Sequence, residues 1–215
     1  MTTGAQTGVV VTSISGSTLS PTFQGAVAGS TYITFEDVAA GTSGPFVSGG
    51  FSFSGDGAVE TGNVSGKYAN PAGDNTHYLS TGFDGTSGSK TETVFLGTHT
   101  NFGLYWGSID AYNTLTFLKG GSTVFTLTGG GVPLAVDNGN QTSDLSNKYV
   151  NFAFTGGSSY DTVVFNSTSP AFEVDNLAVA GGVPELSTWA MMIVGFGLVG
   201  LQVRRRNSFA ANPAA

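Results

Sequence analysis

Asn113-Thr114-Leu115-Thr116-Phe117-Leu118-Lys119-Gly120-Gly121-Ser122-Thr123-Val124-Phe125-Thr126-Leu127 decides the fold class of this chain. Two runs rich in Thr, Val, Leu and Phe flank Gly-Gly, and glycine at both central positions permits the positive φ angles of a tight primed turn, so the stretch predicts a β-hairpin. Alternation puts Leu115 and Phe117 on one face of the first strand, with Thr114, Thr116 and Leu118 on the other.

Outward from this hairpin the same texture recurs. Strand-like runs are expected at 9–14, 31–36, 46–54, 58–64, 77–81, 93–97, 101–106, 113–119, 122–128, 148–155, 160–166 and 171–179, about ten residues apart and separated by turn residues. A second alternating pair, 149–154 and 161–165, is joined by Gly156-Gly157-Ser158-Ser159, and residues 132–147 form the longest stretch without a strand pattern. The expected fold is all-β: an antiparallel β-sandwich, jelly-roll-like, with no helix before Ser187. The run from Val9 to Ile14 stands apart and is suited to completing the sheet of a neighbouring copy.

Composition narrows the function classes. Charged residues make up 10% of the chain while 33 of its 215 residues are Gly, and with 40% hydrophobic content it folds as a loop-rich domain rather than staying disordered. Three of the seven basic residues are Arg204, Arg205 and Arg206, so residues 1–203 set four basic side chains against 14 acidic ones. An acidic body repels phosphate backbones, which excludes nucleic acid and favours divalent cations. Absence of Cys rules out disulfides, thiol catalysis and thiolate metal sites. Met1 to Thr7 has neither a basic n-region nor a long apolar h-region, so the chain reads as a mature form with an added Met or as one whose start lies upstream.

The C-terminus has a different texture. From Ser187 to Val203 the run is almost wholly apolar, 17 residues or roughly 25 Å of helix against about 30 Å of hydrocarbon, and Arg204-Arg205-Arg206 follows at once. This predicts a short membrane helix whose far end the arginines hold in the cytoplasm. Three segments result: an extracellular domain over 1–182, a membrane-associated segment over 183–206 and a short tail over 207–215.

Val183-Pro184-Glu185 followed by Trp189-Ala190-Met191-Met192, an apolar helix with Gly195-Phe196-Gly197-Leu198, and the arginine cluster resembles the sorting tail of the PEP-CTERM class of exosortase-sorted bacterial surface proteins. Leu186 stands where that class has a second proline. Asn101 to Asn113, containing Phe102-Gly103-Leu104-Tyr105-Trp106-Gly107-Ser108, resembles the core of small β-sandwich exosortase substrates. The resemblance implies export to the surface or extracellular matrix of a Gram-negative bacterium. It also implies passage through the inner membrane, processing by an exosortase-type enzyme at a motif carried by Pro184, Glu185, Trp189, Ala190 and Arg204–Arg206, and no enzymatic activity.

Residue chemistry adds little catalysis. His77 and His99 are the only histidines, no Gly-x-Ser-x-Gly elbow occurs, and Gly195-x-Gly197-x-x-Gly200 lies inside the apolar span, where glycines serve helix packing rather than a dinucleotide. Paired carboxylates leave a hydrolase open. Asp137 to Asp144 looks like a fragment of a calcium loop without its closing Glu, and reads as a turn-rich surface loop. Tyr105, Trp106 and Tyr112 would make a platform for sugar rings if they shared a face, although alternation sends Trp106 and Tyr105 to opposite faces. In carbohydrate-binding jelly rolls, which the layout resembles, first and last strands share a calcium ion; Glu36, Asp37 and Asp175 are the residues placed to hold one here, against a reading in which they are solvated strand ends. The expected function is a non-catalytic cell-surface or matrix structural protein, with a glycan-binding module associated with exopolysaccharide, or a self-assembling filament subunit, as alternatives.

Overall fold

The computed structural model describes residues 8–15, 27–86 and 88–182, together with Ile193 and Phe196. The chain divides into a unit Met1–Gly182 and a unit Val183–Ala215. Ile193 and Phe196 are helical and exposed, and the remainder of the sorting motif, the apolar span and the arginine cluster lie outside the described residues. Among the described residues no helix is long and apolar enough to cross a membrane.

Among its described residues the first unit has fourteen strands: β1 (Val9–Ser15), β2 (Thr31–Ile33), β3 (Thr42–Ser43), β4 (Phe46–Ser48), β5 (Phe51–Gly55), β6 (Gly57–Glu60), β7 (Tyr78–Thr81), β8 (Lys90–His99), β9 (Asn101–Gly107), β10 (Asn113–Lys119), β11 (Ser122–Thr128), β12 (Lys148–Phe154), β13 (Tyr160–Ser167) and β14 (Phe172–Ala180). They form two antiparallel sheets, the arrangement of a β-sandwich. One runs β1-β12-β9-β14-β7-β6-β3 with β2 also on β14, the other β11-β10-β13-β8-β5-β4.

The hairpin forms as its sequence dictates. Gly120 and Gly121 take φ of 57° and 80°, and the turn joins β10 to β11 in antiparallel register. Leu115 and Phe117 are fully buried while Thr114, Thr116 and Leu118 keep part of their surface in solvent. Phe117 sits at the centre of an aromatic cluster, with Phe152 at 4.8 Å and Phe154 and Tyr160 at 5.1 Å between ring centroids. These edge and tilted contacts add to the burial that drives the two sheets together.

Three expectations are corrected. The run 46–54 is two strands, because Gly49 and Gly50, at φ 57° and 84°, turn the chain back on itself. β12 and β13 do not pair as neighbours: the glycine turn at 155–159 carries the chain from one sheet to the other, with Gly156 and Gly157 again at positive φ. β1 is not detached, since all seven of its residues register with β12, from Val9 opposite Phe154 to Ser15 opposite Lys148. Val9 is buried and Val11 packs on the core, which places the strand in this copy's own sheet.

Candidate functional site

The site begins with an irregularity in β14. Phe172 and Val174 face the core, and so do Leu177 and Val179, although strict alternation would turn the second pair outward. The phase is reset by a bulge between Asp175 and Ala178, where Asn176 adopts φ 51°, a left-handed conformation that asparagine tolerates better than most residues. Glu173 and Asp175 therefore point to the outer face of their sheet. They are buried there all the same, at 3% and 0% exposure, because the segment 61–77 folds across that face.

Glu173 anchors a cleft of about 380 Å³ with Ser108, Asp110, Tyr112, Gln141, Tyr68 and Lys67 in its lining. Its Oε1 accepts a hydrogen bond from the Ala69 amide at 3.0 Å and its Oε2 one from the Ser108 hydroxyl at 2.7 Å. Burial pushes the Glu173 carboxyl up from 4.5 to about 7, against the pull of these two donors, and the nearby Asp110 charge adds to the rise. Ser108 itself sits at φ 36° and donates its amide to Asn147 Oδ1 at 3.0 Å.

Asn147 holds the floor of this end of the sandwich. Its Oδ1 also accepts from the Ala72 amide at 3.0 Å, and its Nδ2 donates to the carbonyls of Asn140 at 2.9 Å and Ser143 at 3.0 Å. Every hydrogen-bonding position of the amide is used, so one buried side chain fixes the loops around 72, 108 and 140–143.

Across the cleft, the Tyr112 hydroxyl lies 2.6 Å from Asp110 Oδ2 and 2.8 Å from the Pro170 carbonyl. One hydroxyl proton serves one acceptor well. Tyr112 is the donor to both, its single proton divided between Asp110 Oδ2 and the Pro170 carbonyl. The carboxyl is held above its ordinary value by burial, with the Tyr112 hydrogen bond opposing and the Asp137 charge adding to the rise. Gly139 allows the approach of its loop, since a Cβ there would come within 2.7 Å of the Asp110 carboxylate.

The lining is polar rather than greasy, unlike the apolar pockets that take most drug-sized ligands. It presents amide, hydroxyl and carboxyl groups in donor and acceptor forms, a set matched to a hydroxyl-rich ligand. No imidazole lines it: His77 Nδ1 is engaged with the Val38 carbonyl at 2.9 Å and His99 Nε2 with that of Leu96 at 3.1 Å. The Ser108 hydroxyl thus gives its proton to a carboxyl and has no base of the Ser-His kind beside it.

The aromatic trio does not come together. Tyr112 lines the cleft, but Trp106 is fully buried against Phe172, ring centroids 4.6 Å apart, and Tyr105 is buried on the opposite face with its hydroxyl on the Ala72 carbonyl. A ring enclosed on both faces offers no sugar platform. The carboxylate trio also separates. Asp37 accepts from the Ser48 hydroxyl at 2.6 Å and the Gly49 amide at 2.9 Å, and Glu36, exposed, accepts from the His77 amide at 2.6 Å. The carboxyl in contact with Asp175 is that of Asp74. Asp74 has a sequence signal in Asp74-Asn75-Thr76, where a short acceptor two residues before Thr closes a turn on its own backbone, and strand alternation puts Glu173 on the same face as Asp175; Ser108 and Asn147 have none short of the fold. Comparison with protein-family models and with curated proteins finds no match to this chain.

Proposed function

We propose that this chain is a non-catalytic structural protein of a bacterial cell surface or extracellular matrix, delivered there through its C-terminal segment. The observation that carries the reading is a coincidence of boundaries. The β-sandwich unit ends at Gly182, and the sorting register Val183-Pro184-Glu185, Trp189-Ala190 and Arg204-Arg205-Arg206 starts at the next residue. A body of jelly-roll kind followed directly by such a segment is the layout of a substrate that an exosortase-type enzyme releases from the inner membrane. Intact mass of the protein recovered from its native host, with fractionation, tests this: the expected species is extracellular and truncated near residue 183. A cytosolic protein retaining residues 183–215 would overturn it.

A second function of the same body is contact with exopolysaccharide through the acidic cleft, favoured by its polar lining around Asp110, Tyr112 and Gln141. Retention on host polysaccharide should fall on Tyr112→Ala and survive a surface change such as Leu134→Ser, and equal retention of both variants would remove the cleft from consideration. A filament subunit would need β1 to trade its pairing with β12 for the same pairing in a neighbour, and monomeric mass at high concentration counts against that arrangement.

A further inference from the structure

Asp175 lies in a gap between strands. Along one edge of β14, residues Phe172–Val174 pair with β7 and Leu177–Val179 with β2, which among the described residues leaves Asp175 and Asn176 without a strand partner on that side. On the other edge Asp175 registers with Tyr105. The segment 70–76 closes the gap and brings Asp74, 2% exposed, against Asp175, fully buried.

The donors around this pair are too few. Asp74 Oδ1 accepts from the Thr76 amide at 2.9 Å. The Thr76 hydroxyl, with one proton, stands at 2.5 Å from the same oxygen and 3.2 Å from Asp175 Oδ2. Among the described residues nothing donates to Asp74 Oδ2 or Asp175 Oδ1 beyond the contact the two carboxyls make with each other, and nothing to Asn70 Oδ1, whose side-chain nitrogen donates to the Asp74 carbonyl at 2.9 Å. Three buried oxygens without an outside donor beside one loop, two of them on adjoining carboxyls, carry a cost that a positive group among them relieves. A proton shared by the two acids removes one charge and leaves Asn70 Oδ1 unserved. A divalent cation neutralises both carboxylates and accepts the remaining oxygens as ligands.

We propose that Asp74 and Asp175, with the Thr76 hydroxyl and the Asn70 amide oxygen, form a calcium site that fastens the 70–76 segment to β14. Calcium fits because it is hard, takes six to eight oxygens and accepts amide, hydroxyl and backbone carbonyl groups beside its carboxylates. Zinc does not, since it favours His nitrogen and Cys sulfur in closed tetrahedral sets and these four side chains offer oxygens. Burial and the adjoining Asp74 carboxyl hold the Asp175 carboxyl well above its ordinary value, so the ion has to displace a proton to bind. The site is structural: none of its four side chains lines the cleft, but the 61–77 cover that it fastens supplies Lys67 and Tyr68 to that lining.

Calorimetric titration of calcium into chelator-treated full chain, with thermal melts in calcium and in EGTA, tests the site. Expected are one ion per chain and a Tm that rises with the logarithm of calcium concentration. Asp74→Asn and Asp175→Asn should each abolish the rise, while Asp137→Asn, in the exposed loop 137–144, and Glu36→Gln keep it. Thr76→Val, which spares both carboxyls, should weaken binding at least tenfold and serves if the Asn variants do not fold. Coincident wild-type melts would overturn the proposal, as would a calcium shift that survives both Asn variants. So would an Asp175→Asn variant whose Tm exceeds wild type by the same amount in calcium and EGTA, the behaviour of a shared proton.

Discussion

Glu173→Gln isolates the electrostatic cost of the cleft. In the folded chain the Glu173 carboxyl titrates near 7, and in the unfolded chain near 4.5. Below pH 4.5 both states hold the proton and the group costs nothing. As pH rises the unfolded chain loses its proton first, so stability falls through the interval from about 4.5 to about 7 and stays reduced above it. A shift of that size corresponds to about 3 kcal/mol at ~1.4 kcal/mol for each pH unit. Glutamine keeps an oxygen for the Ala69 amide, and the Ser108 hydroxyl can turn to accept from the new amide nitrogen, so the hydrogen-bond count survives the exchange. Denaturant unfolding at pH 4 and pH 8 reads the result. The variant should be close to wild type at pH 4 and more stable by about 3 kcal/mol at pH 8. Parallel losses of stability in the two proteins between those pH values would show that the carboxyl is not buried as described.

Glu92 is fully buried on β8, accepts from the Gly57 amide at 2.8 Å and is pushed by burial to about 7, so Glu92→Gln should flatten a further part of the same pH dependence in the same unfolding series. Replacing Gly120 and Gly121 together with Val forces two β-branched residues to positive φ and should cost about 2–4 kcal/mol, visible as a lower Tm; an unchanged Tm contradicts the primed turn. Trp106→Ala empties a core position beside Phe172 and should destabilise by about 3–5 kcal/mol while leaving polysaccharide retention per folded molecule intact, measured on the folded fraction at low temperature. Asn147→Ala strands the Ala72 and Ser108 amides and should cost about 3 kcal/mol, with faster hydrogen exchange at those two amides before any other part of the body.

Much of the sandwich was legible because its strands obey the period of two. β10 and β11 occupy the span read from 113–119 and 122–128, and β7, β9, β12 and β13 fall within one or two residues of expectation. What escaped was structure without a period. β3 is two residues long and has no pattern to detect. β8 begins at Lys90 rather than 93 because Glu92 points inward, where an acidic residue breaks the apolar alternation that would have announced it. Trp106 and Tyr105 carried a correct face assignment, but alternation does not say that both faces are covered. The 61–77 segment supplies the second cover, and its Gly, Asn and Asp residues look like those of any surface loop.

The same left-handed Asn176 explains why the buried acids and the aromatic core coexist on one strand. Without the bulge, a β14 that buried Phe172 and Val174 would bury Asn176 and Ala178 after them, and would turn Leu177 and Val179 toward the outer face with Glu173 and Asp175. One extra residue keeps all four apolar side chains in the core and leaves the two acids alone on the far side, in a stretch that β7 and β2 do not span. An exposed pair of acids there would have been unremarkable. Covering them with 61–77 shifts their protonation and brings Ala69, Thr76 and Asp74 against them as partners, and that cover is what turns a strand irregularity into the most chemically distinctive part of the molecule.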